Sequence, residues 1–277
     1  MSCLKGIRGK EWDYPSSTWG GTCQCGKMQS PVDLDVNLQS LMDRSNAPFH
    51  HIQPSVITNH FDNTHTLGLD IEKNDNNYII YKGITYHLVQ VHYHAGSENT
   101  INGEQLPLEV HFVHKSANDD LAVFAVFLTP TKDSPLTHDT VHTSANALAK
   151  AIANDDLNDL EFLNIIMSEP FKYANYEGSL TTPPCTEDVQ WFVMMGSSMS
   201  ECAFSIEQTV YDKIISHYSD NFRPPQNADL HAGIRDMTQY PVTYCDGGEM
   251  NISLSQDDLR AKKKNKQKEL IDSMFDR

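Results

Sequence analysis

His92 and His94 stand one residue apart in the run Ile84–His94, which is rich in β-branched and aromatic residues. Side chains two apart on a strand share a face, so Gln90, His92 and His94 point the same way. In a second strand-like run, Leu108–His114, the same parity puts Glu109, His111 and Val113 on one face and turns His114 to the other. If the two runs are neighbours in a sheet, three imidazoles converge. Three histidine nitrogens with a water in the fourth position make an open tetrahedral zinc site, the catalytic kind rather than the closed four-ligand structural kind.

A single histidine in a strand is ordinarily a packed or hydrogen-bonded core residue, and an H-x-H pair alone divides about evenly between metal and packing. The neighbouring residues shift that balance. A ligating imidazole needs an acceptor on its second nitrogen, and each run carries one, Gln90 beside His92 and Glu109 beside His111. Amide and carboxylate side chains are costly to bury unless paired, which favours a supported metal shell.

The elements that must position these residues are mainly strands, expected at Val56–Asn59, Thr66–Ile71, Asn77–Tyr81, Ile84–Tyr93, Leu108–Lys115, Leu121–Leu128 and Val189–Met195. Helices are expected at Asp139–Ala153, around Leu157–Met167 and from Ile206 to Ser216, the last with Ser205 and Gln208 as a capping-box pattern. This order predicts a mostly β, α+β protein: a single domain around a large, mainly antiparallel twisted sheet with peripheral helices, rather than alternating βαβ units. The composition changes after Asp246-Gly247-Gly248, so the expected division is a catalytic domain over 1–246 and an extension over 247–277. Ser255–Phe275 reads as a helix with Leu270, Ile271, Met274 and Phe275 on one stripe. That stripe either docks on the body or frays, or it serves self-association or a linker.

At 277 residues the chain can bury a substantial core, and no apolar run is long enough to span a membrane, so a soluble protein is expected. Met1–Lys10 has no apolar stretch of signal-peptide length. The net charge of −16 excludes a general nucleic-acid binder. The tail Leu259–Arg277 holds seven Lys/Arg against three Asp/Glu, a net +4, which leaves −20 on Met1–Asp258. An acidic body of this kind serves solubility or, more specifically, tolerance of high salt. The six cysteines, Cys3, Cys23, Cys25, Cys185, Cys202 and Cys245, include no C-x-x-C pair. Zinc-finger ligation is therefore not expected, and disulfides in an oxidising compartment compete with plain buried thiols. Asn251-Ile252-Ser253 is a glycosylation acceptor sequence compatible with secretion.

Taken together, Gln90–Glu98, Glu109–His114 and Gly178-Ser179-Leu180-Thr181-Thr182-Pro183-Pro184 resemble the α-class carbonic anhydrases. The resemblance continues through Gln29-Ser30-Pro31-Val32-Asp33, Leu121-Ala122-Val123 and Asp220-Asn221-Phe222-Arg223-Pro224, and covers about Trp12 to Arg223.

It implies reversible hydration of carbon dioxide to bicarbonate by zinc-bound hydroxide, with His92, His94 and His111 as the zinc ligands. The implied supports are Gln90, Glu109 and the backbone of Asn221. Thr181 matches the family's threonine that accepts a hydrogen bond from the hydroxide, with Glu98 accepting from Thr181 in turn. Val113, Val123, Leu180, Thr182 and Trp191 match the substrate pocket, although valine or leucine on a strand is, singly, more often plain core. His65, in Asn63-Thr64-His65-Thr66, is the implied proton shuttle, with Tyr14 and Asn63 holding waters beside it; His60 lies nearby. Cys25 and Cys185 fall where secreted members carry a paired disulfide, which implies an extracellular or lumenal enzyme.

Three features depart from the family pattern: Ala95 stands for a usual tryptophan, Phe222 replaces another, and the tail beyond Arg223 is longer than a catalytic domain needs. Two other readings compete. His92-x-His94-x-x-x-Glu98 also resembles the iron or manganese motif of cupin oxygenases, but the flanking cupin glycines are absent and Ser-Leu-Thr-Thr-Pro-Pro goes unexplained. A carbonic-anhydrase-like binding module is the other, and it fits poorly with retention of all three histidines, Thr181 and Glu98.

Overall fold

The structure, a computed structural model, describes residues 12–34, 49–132, 140–153, 159–167, 171–195 and 202–226. The expected helix over Ser255–Phe275, its apolar stripe, the domain division at 246/247, Cys3, Cys245 and Asn251 lie outside the described residues.

Short strands β1 (Asp33–Leu34) and β2 (Phe49–His51) precede the run that builds the main sheet: β3 (Ser55–Asp62), β4 (Leu67–Ile71), β5 (Asn77–Tyr81) and β6 (Ile84–Ala95). After β7 (Thr100–Ile101) and β8 (Glu104–Gln105) come the long β9 (Leu108–Ser116) and β10 (Leu121–Thr131). Helix α2 (Thr140–Ile152) follows the short α1 (Thr22–Cys25), and β11 (Asp159–Leu160), α3 (Phe162–Ile166), β12 (Lys172–Ser179), β13 (Glu187–Met195), β14 (Ala203–Glu207) and α4 (Gln208–His217) follow among the described residues.

Among the described residues the main sheet has 11 strands, with the path β11-β3-β4-β6-β9-β10-β13-β12, β14 beside β10, and β5, itself paired to β2, beside β6. Its pairs are antiparallel except β10 with β13 and β10 with β14, so the sheet is mixed but mainly antiparallel.

Alternation along the central strands separates two cores. Leu108, Val110 and Phe112 of β9 and Ala122, Phe124, Val126 and Leu128 of β10 join Leu148, Phe162 and Ile214 from the three later helices in the larger one. Val123, Ala125 and Phe127 of β10 point the other way, to a smaller core with Tyr176, Val189, Trp191 and Val193. Each fully buried Phe, Leu or Val contributes about 1.5–3 kcal/mol against exposure, which is what holds the alternation in register. The face carrying the smaller core also carries Glu109, His111 and Val113.

Four expectations are corrected. Ser205 does not cap a helix: residues 203–207 pair in parallel with Phe127–Thr131, α4 begins only at Gln208, and Glu207 precedes it with no side-chain cap. The sheet ladder satisfies several backbone groups there where a cap would satisfy one or two. The helix expected around Leu157–Met167 is confined to Phe162–Ile166, because Asp159 and Leu160 pair with β3. Strand β12 was not expected at all, since Lys-Tyr-Ala-Asn-Tyr-Glu-Gly-Ser lacks aliphatic alternation; its tyrosines 173 and 176 supply the buried surface instead.

The fourth concerns the disulfide, which joins Cys185 to Cys23 and not to Cys25, with Cα atoms 5.0 Å apart. Residues two apart on a helical turn face nearly opposite ways. On α1, Cys23 faces inward against Trp19 and Cys185, whereas Cys25 is exposed and disulfide-bonded elsewhere.

Candidate metal centre

Strands β6 and β9 bring the three histidines together. His92 stands opposite His111 in their register, and His94 stands opposite Glu109. The ring centroids of His92, His94 and His111 lie 4.7 to 5.2 Å apart, and one ligand nitrogen from each falls within 4.8 Å of the others.

Each ring is held from behind. Nδ1 of His92 donates to Gln90 Oε1 at 3.1 Å, Nδ1 of His94 to the Asn221 carbonyl at 2.7 Å, and Nε2 of His111 to Glu109 Oε1 at 3.0 Å. Because each partner can only accept there, the tautomers follow: Nε2 of His92, Nε2 of His94 and Nδ1 of His111 keep their lone pairs and face one another. Burial holds the His92 and His111 imidazoles well below the ordinary range, with the neighbouring rings adding to it. Burial also lowers His94, against the opposing pull of the Asn221 carbonyl and Glu109. Neutral imidazoles are what a cation needs.

One contact tests whether a cation fits. Nε2 of His94 and Oε2 of Glu98 lie buried 3.4 Å apart, and neither has a hydrogen-bond partner. Nδ1 of His111 is 4.0 Å from the same oxygen. Unpaired buried acceptors turned toward one point are costly unless a positive charge sits among them, so the donor set fits a small cation such as zinc.

Glu98 and Glu109 are fully buried. Burial pushes the Glu98 carboxyl up to about 8, opposed by a hydrogen bond with the Thr181 side chain and by the amide and charge of Arg223; Glu109 adds to the rise. Glu109 is pushed up to about 7 by burial, opposed chiefly by Asn99. The Arg223 amide donates to Glu98 Oε1 at 2.9 Å. Glu109 accepts from the amides of Glu98 and Asn99, from Asn99 Nδ2 and from His111, which fills both its oxygens.

An apolar wall stands beside the histidines. Val113 of β9, Val123 of β10 and Trp191 of β13 occupy one cross-strand rung, and the Trp191 ring lies 4.9 Å from that of His111. Leu180 packs on the same cluster. Thr181 and Thr182 follow in the loop after β12, where the Cys185 amide donates to the Thr182 carbonyl at 2.8 Å.

His65 is half-buried and stacks on Trp12, with centroids 3.7 Å apart; its Nδ1 contacts the Asn63 carbonyl at 3.1 Å and its Nε2 the Trp12 carbonyl at 2.5 Å. The Tyr14 ring is 6.5 Å from that of His65, and burial, then the Glu98 and Asp13 charges, raise its hydroxyl far above the ordinary phenol range. Asn63 commits its side-chain oxygen to the amides of His65 and Thr66, shaping the turn that carries His65. His60 is on β3, opposite Leu69.

Three residues at the site were not singled out from sequence. Asn99 holds Glu109 and in turn accepts from Tyr176 and from the Val32 amide. Arg223 holds Glu98 through its backbone, a role no side-chain type can signal. Trp12 supplies the face on which His65 rests.

A family model described as eukaryotic-type carbonic anhydrase matches residues 10–231. A curated carbonic anhydrase of Pectobacterium carotovorum is 29% identical over 225 residues, covering 79% of this chain and 86% of its own length. Among solved structures, the α-carbonic anhydrase of Photobacterium profundum is 29% identical with a TM-score of 0.53, over 74% of this chain and 88% of its own. That of Thermovibrio ammonificans, solved with the inhibitor sulfanilamide, is 27% identical with a TM-score of 0.57, over 74% and 86%.

Proposed function

Because the chain belongs to the eukaryotic-type carbonic anhydrase family and is thus a lyase that hydrates carbon dioxide, we propose that His92, His94 and His111 hold the zinc ion this reaction requires. The observation that carries this reading is the set of three free nitrogens, each left free because its ring partner nitrogen is already engaged, converging beside an unpaired buried carboxylate oxygen. Zinc bound there would lower the pKa of water to about 7, the value known for carbonic anhydrase itself, and its charge would keep Glu98 and Glu109 ionised.

The remaining work falls to the chain. An ionised Glu98 can only accept, so Thr181 donates to it and can itself only accept on its open side. An attacking hydroxyl placed there would donate a hydrogen bond to Thr181, keeping its hydrogen, and turn a lone pair toward the substrate carbon. Val113, Val123, Leu180 and Trp191 offer an apolar surface suited to uncharged carbon dioxide, and Thr182 lies at its edge. Bicarbonate, being charged, is poorly held by the same wall and leaves.

Each turnover releases a proton. His65 is the residue we assign to carry it outward, since an imidazole can take a proton on one ring nitrogen and release one from the other, and the ring lies on the side lined by Tyr14 and Asn63. Tyr14 stays protonated and so can donate to a water as well as accept from one.

The Cys23–Cys185 disulfide fits a protein that matures in an oxidising compartment, and no helix among the described residues is long and apolar enough to cross a membrane. We place the enzyme outside the cytosol on that ground. The acidic body, the extension over 247–277 and self-association through it are tested together by measuring activity and oligomeric state across sodium chloride concentrations, with and without Leu259–Arg277.

The deciding experiment is carbon dioxide hydration by the purified chain before and after chelation, with zinc restored. Activity should vanish and return; a zinc-loaded but inert protein refutes the assignment, and redox-active iron ligated by Glu98 replaces it. Sulfanilamide, which the Thermovibrio enzyme binds, should bind the zinc-loaded form and not the chelated one.

A further inference from the structure

Arg223 is among the largest fully buried side chains, at 2% exposure, yet the three acceptors of its guanidinium are all neutral. Nη1 donates to Gln29 Oε1 at 3.0 Å and to the Ser30 carbonyl at 2.6 Å, and Nη2 to the Cys23 carbonyl at 2.6 Å, while the guanidinium lies over the Trp19 ring. A buried charge hydrogen-bonded only to neutral groups is a costly way to join two segments, and the Glu98 carboxylate, which acts on it through charge alone, offsets part of that cost. The join nevertheless ends at the metal centre, because the amide of the same residue donates to Glu98.

All three acceptors lie on one stretch, Cys23–Ser30, and that stretch also holds the other half of the pair. Cys23 is bonded to Cys185, which closes the loop carrying Thr181 and Thr182, and Gln29 Nε2 donates to the Cys185 carbonyl at 3.2 Å. The Thr181 loop and the Glu98 carboxylate are thus fixed to a common segment, one through the disulfide and one through Arg223. We propose that Arg223 is a positioning residue for carbon dioxide hydration: its guanidinium fork, seated on Cys23–Ser30, sets where its own amide holds Glu98 and so aligns Glu98 with Thr181. Lysine cannot replace it, since one ammonium does not reproduce a planar fork aimed at three acceptors.

This rests on the reading of Thr181 and Glu98 as an orienting pair, and a double-mutant cycle separates the two. Hydration kinetics are measured for wild type, Arg223→Lys, Glu98→Gln and the double variant, with zinc content checked in each. Glu98→Gln should lower kcat/KM about 100-fold; no loss would remove the orienting pair itself. Arg223→Lys should lower kcat about tenfold with KM and zinc content unchanged, and should add less than about twofold in the Glu98→Gln background. Losses that multiply in the double variant, or full activity in Arg223→Lys, overturn the positioning role, because a merely structural residue acts whether or not Glu98 is intact. If Arg223→Lys does not fold, the cycle is run with Gln29→Met, which removes one Arg223 acceptor together with the donor to Cys185 and Glu187, and in parallel with Gln29→Glu, which keeps an acceptor for Arg223 and removes only that donor. A loss of about threefold in Gln29→Met that is absent in Gln29→Glu and disappears in the Glu98→Gln background supports the role; an equal loss in both variants, a loss that persists there, or no loss, overturns it.

Discussion

His92 stands opposite His111 across β6 and β9, and this pairing depends on a register shift between Leu88 and Gln90. Leu88 and His92 have the same parity, so on an unbroken strand they would share a face. Leu88 instead lies in the larger core with Val91 and Tyr93, and His92 lies on the opposite face. One extra residue in the strand lets it serve the larger core at its start and carry the clustered histidines on its other face at its end.

Replacing Glu109 by glutamine should weaken zinc binding about 10- to 100-fold, read by competition with a chelator. All four groups facing the Glu109 oxygens are donors, two on each oxygen, so an amide must turn its own NH2 toward two of them, either the Glu98 and Asn99 amides or the pair Asn99 Nδ2 and His111. Facing His111, it would push the ring proton to Nδ1, the nitrogen that the metal needs. Unchanged affinity would show that Glu109 does not set the His111 tautomer.

Cys23→Ser should destabilise the protein by about 2–5 kcal/mol, the usual cost of losing a native disulfide in a secreted domain. The residues it joins are 162 apart in sequence, and they close the loop that bears Thr181. Peptide mapping without reductant distinguishes the pairings: the link to the Cys185 peptide should survive Cys25→Ser and vanish in Cys23→Ser. The opposite pattern would restore the pairing expected from the family.

The site was legible where its logic is local. Strand parity from Gln90 to His94 does not cross the register shift, so two-residue periodicity alone placed three side chains on one face. Glu109 and His111 followed by the same rule. The choice between Cys23 and Cys25 was not legible, because it depends on which side of a single helical turn meets Cys185. Ser205 misled for a related reason: a capping pattern is local, and the parallel pairing with β10 that overrode it joins residues about 75 positions apart. The contact of Arg223 with Glu98 is made by its main-chain amide, and sequence carries no mark of which amide faces a carboxylate.

Stability should fall as pH drops below about 6.5, through a histidine pair remote from the metal centre. His114 donates from Nδ1 to the Phe112 carbonyl, so its Nε2 accepts, at 3.2 Å, from Nε2 of His51, whose Nδ1 is left buried without a partner. Burial pushes His114 down to about 3 and His51 well below its ordinary value, with the neighbouring histidines adding to both. The unfolded chain therefore takes up protons that the folded one refuses, and the stability present above about pH 6.5 is lost below it. His114 alone accounts for about 2 kcal/mol at pH 5. Ring resonances of both histidines should stay at their neutral positions from pH 8 to 5, and urea midpoints should decline over the same range. Titration of either ring near pH 6.5 in the folded protein would contradict this.

His65→Ala should slow steady-state hydration about tenfold or more at low buffer concentration, while leaving the interconversion of carbon dioxide and bicarbonate at chemical equilibrium unchanged. The two measurements separate proton export from chemistry, because isotope exchange at equilibrium needs no net proton release. Trp12→Ala should give a milder form of the same defect, since it removes the surface on which the His65 ring is stacked without removing the imidazole. Added imidazole should restore His65→Ala toward the wild-type rate, by supplying in solution the proton carrier the variant lacks. If His65→Ala keeps the full rate at low buffer, proton export runs by another route, and His60 on the neighbouring strand β3 is the next residue to replace.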